Sequence, residues 1–183
     1  MEIPFLPARY FTVPTTPRDI GLIVIHSAEV TEGQGKALWL MNYCANEDRK
    51  ASWHFAIDAD AITQSVKIED IAWHAGHTAN LRGVGIELAT WGMPTTEQWA
   101  DDYNKKMLSL AAFFVAGLCK KLNIDPFYVD AAGLLEQRRG ITTHAQCSLA
   151  FKETDHLDPG PFFPMDSFVA DVTARLVSGN YQA

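Results

Sequence analysis

Apolar positions along this chain fall into short runs separated by polar and turn-forming segments, and the spacing inside each run separates strands from helices. The run GLIVIH, Gly21 to His26, is β-branched and unbroken after a proline-containing lead-in, which predicts a buried central strand with His26 at its C-terminal end. From Gln34 to Arg49, Ala37, Leu38, Met41, Cys44 and Ala45 recur at helical spacing, with Trp39 and Leu40 widening the stripe, so an amphipathic helix is expected. SWHFAID and AITQSVK flank the turn DADA and read as a hairpin or a strand with a bulge. GVGIELAT, Gly83 to Thr90, reads as a further strand. Side chains alternate in a strand, so Val84, Ile86 and Leu88 share one face while Gly85, Glu87 and Ala89 share the other.

Thr95 or Thr96 caps a long helix through EQWADDYNKKMLSLAAFFVAGLCKKLN, with acidic residues early, Lys120 and Lys121 late and Asn123 closing it. A loop-rich stretch through Pro126 and Gly133 leads to GITTHAQCS and the HLDPGPFFP loop, and a last helix is expected from about Met165 to Val177. Strands interleaved with helices predict an α/β fold: one domain over residues 1–183, its core about 18–180, built on a mixed sheet of about five or six strands flanked by helices. Strand order is not readable from the pattern.

Length and composition agree with a single domain, since 183 residues of which 48% are hydrophobic can bury a substantial core. The net charge of −7, without any cluster of Lys and Arg, argues against nucleic-acid binding through phosphate neutralisation. No apolar stretch approaches the roughly 20 residues that cross a bilayer, so no membrane association is expected. The start, MEIPFLPARYFTVP, carries no signal-peptide pattern, which points to synthesis in the cytosol. Cys44, Cys119 and Cys147 are odd in number and imply no disulfide framework. A monomer is expected.

Six histidines are present, and three positions stand out for metal chemistry. His26 ends an apolar strand, where a ligand projects from a rigid sheet. His144 follows the short run GITT, and Asp158 lies in HLDPG, where Pro159 and Gly160 form a tight turn. Two imidazoles and a carboxylate suit Zn2+ and leave a fourth position open, as in catalytic rather than structural sites. Cys147, three residues after His144, offers an alternative thiolate or a small core side chain. No HExxH helix is present.

IVIHSAE, WHFAIDADAITQSV followed by IAWHAGHTANLRGVGIELAT, and THAQC followed by HLDPGPFFP, in that order from about His26 to Pro164, resemble the type-2 N-acetylmuramoyl-L-alanine amidase family. That family includes phage lysozyme-like endolysins, muropeptide-recycling amidases and peptidoglycan recognition proteins. The resemblance implies a zinc at the floor of a groove, with ligands on His26, His144 and Asp158, and peptidoglycan or a muropeptide as substrate. It places the catalytic acid/base on Glu87 and puts His156 where many relatives carry an oxyanion-stabilising lysine. His54, Trp73, His74 and Asn80 fall on positions that line or support the groove. Trp53 replaces a tyrosine common in phage relatives, and Phe55 and Ile57, read as sharing its strand face, assign it to the core. The implied reaction is hydrolysis of the amide between N-acetylmuramic acid and L-alanine. A phage endolysin, held in the host cytoplasm before release to the cell wall, is the leading expectation. A cytosolic recycling amidase and a non-catalytic peptidoglycan-binding protein are the alternatives.

Overall fold

The computed structural model describes residues 2–181. Its centre is a five-stranded mixed sheet in the order β4, β3, β6, β2, β7, formed by β2 (Leu22–Ser27), β3 (Phe55–Ile57), β4 (Ile62–Gln64), β6 (Gly83–Leu88) and β7 (Gly140–Thr143). Only β4 runs antiparallel to its neighbour, because β3 and β4 are joined by a tight turn while every other connection crosses over through helix. Two short strands, β1 (Phe11–Thr12) and β5 (Ile71–Ala72), pair separately.

Helices cover both faces, which is why β2 and β6 are buried along their whole length. On one face, α4 (Asp102–Leu122) and α7 (Met165–Ser178) pack Phe114, Val115, Leu118, Phe168 and Val172 against Ile23, Ile25, Val84, Ile86 and Leu88. The other face is divided. Over β3, α1 (Lys36–Asn46) buries Ala37, Leu40 and Cys44 with Ala56 and Ala89. Over β2, α2 (His77–Arg82), α5 (Ala131–Leu135) and α6 (His144–Phe151) bury Ala79, Leu134 and Cys147 with Leu22 and Val24. Between these two apolar clusters, at the C-terminal ends of the parallel strands, the sheet is left open to a groove.

Local chemistry departs from the sequence reading at three places. The long helix is preceded by a separate turn, α3 (Thr96–Trp99): Thr95 caps it in a capping box with Gln98, and Asp101 then caps α4 anew through the Asn104 N–H. A helix, α6, follows β7 directly, with the Thr143 hydroxyl accepting from the Gln146 N–H. Trp53 precedes β3 rather than belonging to it, so strand alternation does not apply. It is buried, but with Leu40 and Cys44 on the α1 side, not with Phe55 and Ile57. Among the described residues no helix is long and apolar enough to cross a membrane.

Candidate functional site

His26 and Glu87 are cross-strand partners near the ends of β2 and β6, and both side chains face the groove. Thr143 pairs with Ile25, which brings His144, the first residue of α6, to the same end of the sheet. Asp158 arrives from the loop before α7. The Gly160 N–H donates to the Leu157 carbonyl to close the turn, and the Asp158 carbonyl accepts from the Ala145 N–H at the start of α6. Sheet, helix and loop are thereby tied together at one point.

The result is a compact donor set. His26 Nδ1 lies 3.1 Å from Asp158 Oδ2 and His144 Nδ1 lies 3.0 Å from Asp158 Oδ1. One ligand atom from each of the three residues falls within 4.8 Å of the others, and no other such group occurs among the described residues. Burial lowers the His26 pKa and keeps its imidazole neutral. Burial alone would raise the Asp158 carboxyl, but the hydrogen bonds from His144 and His26 outweigh it and hold the group well below the usual carboxylate range. Two imidazoles and an ionised carboxylate are a donor set that fits zinc. Cys147 is packed among Leu22, Val24 and Leu134, and burial pushes its thiol up to about 12, so it behaves as a core residue.

Glu87 Oε1 stands 4.0 Å from His26 Nδ1, and Oε2 is buried without a hydrogen-bond partner. Burial, and then the charge of Asp158, raise its pKa well above the ordinary carboxyl value. His156 stacks flat on His144 with ring centroids 4.8 Å apart, while its side chain is 52% exposed at the mouth of the site. His26 and His144 also have their outer ring nitrogens engaged, Nε2 of His26 with His74 Nδ1 at 3.0 Å and Nε2 of His144 with the Thr154 hydroxyl at 3.1 Å.

The remaining residues expected at the groove divide. Trp73 forms part of the wall, its indole N–H donating to the Thr12 hydroxyl and its ring stacking on Tyr10. Asn80 spends its side-chain oxygen on the backbone N–H groups of His74 and Ala75 and so shapes the loop. His54 is fully buried and lies outside the groove. Of the two positions expected for it, lining or supporting the groove, it occupies the second and not the substrate-contacting one: its Nδ1 accepts from the Gly85 N–H, which leaves Nε2 to donate to the Asp70 carbonyl. Side chains that sequence reasoning assigned elsewhere supply much of the wall. Trp39, read as part of the apolar stripe of α1, is 50% exposed and stacks on Tyr43 beside the groove, and Arg49 and Lys50 line it too. An aromatic two positions away from the buried Ala37 and next to the buried Leu40, on the flank of the stripe, was the available signal. The groove encloses about 920 Å³.

Comparison with known proteins gives a consistent result. A family model described as N-acetylmuramoyl-L-alanine amidase matches residues 16–161. Among curated proteins, N-acetylmuramoyl-L-alanine amidase CwlH of Bacillus subtilis is 27% identical over 124 residues, covering 66% of this chain and 46% of its own length. The chain spans less than half the length of the curated relatives it matches. Among solved structures, the catalytic domain of XlyA superposes with a TM-score of 0.65 at 22% identity, covering 94% of this chain and 99% of that one. Staphylococcus aureus hydrolase AmiA in complex with its ligand gives 0.70 at 18% identity, covering 99% and 87%. These two likenesses establish the shared fold.

Proposed function

This chain belongs to the N-acetylmuramoyl-L-alanine amidase family, and on that premise we propose that it is a zinc-dependent hydrolase of the amide joining N-acetylmuramic acid to L-alanine in peptidoglycan. The observation that carries the reading is the meeting of His26, His144 and Asp158 beside a buried, unpartnered Glu87 oxygen at the floor of one groove. His26, His144 and Asp158 would hold the metal. When bound, zinc supplies Lewis acidity at the groove floor.

The protein's own groups perform the rest. Glu87 Oε2 takes a proton from the attacking water and delivers it to the departing amine of L-alanine, and a pKa raised by burial and by Asp158 makes it a stronger base than an ordinary carboxylate. His156, stacked on His144 at the mouth, offers a ring N–H to the oxygen of the scissile carbonyl. Trp39, Tyr43 and Trp73 present flat apolar faces suited to sugar rings. An open groove of this size accommodates a stretch of polymer, which favours action on the wall itself, as by an endolysin, over action on small recycled fragments.

The test is digestion of purified peptidoglycan with the zinc-loaded protein, followed by mass spectrometry of the new ends. New free L-alanine amines beside intact lactyl groups are expected. New reducing sugars, cut peptide cross-links or no cleavage would overturn the reading. Glu87→Ala should keep its zinc and lose turnover by about 10²- to 10⁴-fold.

A further inference from the structure

We propose that His74 is a positioning residue for the metal centre: with a cation bound, its Nδ1 accepts the Nε2–H of His26 and so holds His26 in the tautomer whose Nδ1 lone pair is free for that cation, whereas without metal Nδ1–H is the donor to Asp158. The inference rests on the zinc reading above and assigns to His74 a role other than contact with substrate.

A neutral imidazole carries one N–H, and if Nδ1 is to offer a lone pair to a cation, the hydrogen must sit on Nε2. His26 is 2% exposed, so that N–H has no access to water and needs an acceptor within the protein. His74 Nδ1 is that acceptor, 3.0 Å away, with the two rings edge to face at 86°.

Everything around His74 fixes it for this contact. The side-chain oxygen of Asn80 accepts from the backbone N–H of both His74 and Ala75, at 3.0 and 2.8 Å, and pins the main chain. The ring lies over β6 where Gly85 has no side chain, and a Cβ there would stand 2.7 Å from the His74 Cγ. On the outer side, Glu153 accepts from the Thr78 N–H and hydroxyl, joining the first turn of α2, which follows the loop that carries His74, to the segment whose Thr154 engages His144. His74 Nε2 is shielded from solvent and has no partner, so the ring cannot offer it to a substrate in the groove.

The test uses two variants and the wild-type protein. His74→Leu removes the acceptor, whereas His74→Asn keeps a side-chain oxygen where Nδ1 stands. Zinc affinity measured by chelator competition should fall about 10- to 100-fold in His74→Leu and recover largely in His74→Asn. In the zinc-loaded wild type labelled with 15N-histidine, His26 should carry its hydrogen on Nε2 and show scalar coupling across the hydrogen bond to His74 Nδ1. A folded His74→Leu with wild-type zinc affinity, or a wild-type His26 protonated on Nδ1, would overturn the proposal, and the NMR arm decides even if His74→Leu does not fold. A wild-type protein that takes up no zinc would overturn the underlying zinc reading as well, and is recognised by metal analysis before any variant is made.

Discussion

Gly85 lies directly beneath the imidazole of His74, and a methyl group added to its α-carbon would stand 2.7 Å from the ring. Gly83 has the same property toward α2, where a Cβ would come 2.8 Å from the Ala79 carbonyl. The alternation of β6 therefore does two jobs on the groove side: two glycines admit a histidine and a helix, and Glu87 follows at the open end. Gly85→Ala should destabilise the fold by about 1–3 kcal/mol through overpacking. Because the ring must move, zinc affinity should fall with it. Urea unfolding and chelator competition measure both, and an unchanged affinity in the variant would show that the ring tolerates the displacement.

The same strand shows how far the sequence could be read. Its alternation set Glu87 on the face opposite Val84, Ile86 and Leu88, because period two is a property of the backbone itself, and that face meets the groove. Gly85 shares that face, where it makes room for a ring that arrives from a loop, and no local pattern encodes that contact. His26, His144 and Asp158 come together through a parallel register and a turn, and it was family resemblance that linked them across more than a hundred residues of sequence. Periodicity served well where elements were long, as in β2 and α4. It failed at α6, eight residues without a clear apolar stripe, and at Trp53 and His54, where the chain is not yet a strand.

His54 gives the protein a built-in sensitivity to acid. Burial, and then the charge of Arg18, lower its pKa to about 3, against an ordinary value of about 6.5 in the unfolded chain. Between those values the unfolded chain binds a proton that the folded one refuses, so stability falls as pH falls through this window, at up to about 1.4 kcal/mol per pH unit. His54→Asn keeps an acceptor for the Gly85 N–H but cannot titrate. The stability difference between wild type and variant should therefore shrink steadily from pH 7 to pH 4 in urea titrations. A difference that does not change with pH would sink the assignment.

Asp58 holds the other wall of the groove. It is fully buried, its Oδ2 accepts from the Ala37 N–H in the first turn of α1, and its Oδ1 accepts from the N–H groups of Asp60 and Ala61 in the β3–β4 turn. Gly35, the residue before α1, offers no side chain to cap the helix, so the carboxylate reaches across from the sheet to do it. Asp58→Ala would take the acceptor from three backbone donors, the Ala37 N–H among them buried, and should cost about 3 kcal/mol. A fall in Tm of roughly 10 °C is expected for a domain of this size, together with looser hydrogen-exchange protection in α1. A loss below about 1 kcal/mol would mean that water replaces the carboxylate.

Metal removal should be visible as stability before it is visible as lost turnover. A cation that binds the folded chain and not the unfolded one adds about 2.7 kcal/mol at a hundredfold excess over its dissociation constant, and about 4 kcal/mol at a thousandfold. Holding His26, His144 and Asp158 within 4.8 Å of one another is the work that the folded chain has already done for it. Adding zinc to the metal-free protein should raise Tm by roughly 5–15 °C, and excess chelator should reverse it. Asp158→Asn preserves shape but removes the negative charge that two imidazoles face at 3.1 and 3.0 Å. That variant is destabilised without metal as well, because the hydrogen bonds from His144 and His26 favour the ionised carboxyl. The informative quantity is therefore the zinc-dependent increment in Tm, measured separately for each protein: large in the wild type, close to zero in Asp158→Asn, and retained in Glu87→Ala, whose carboxyl borders the site without belonging to its donor set.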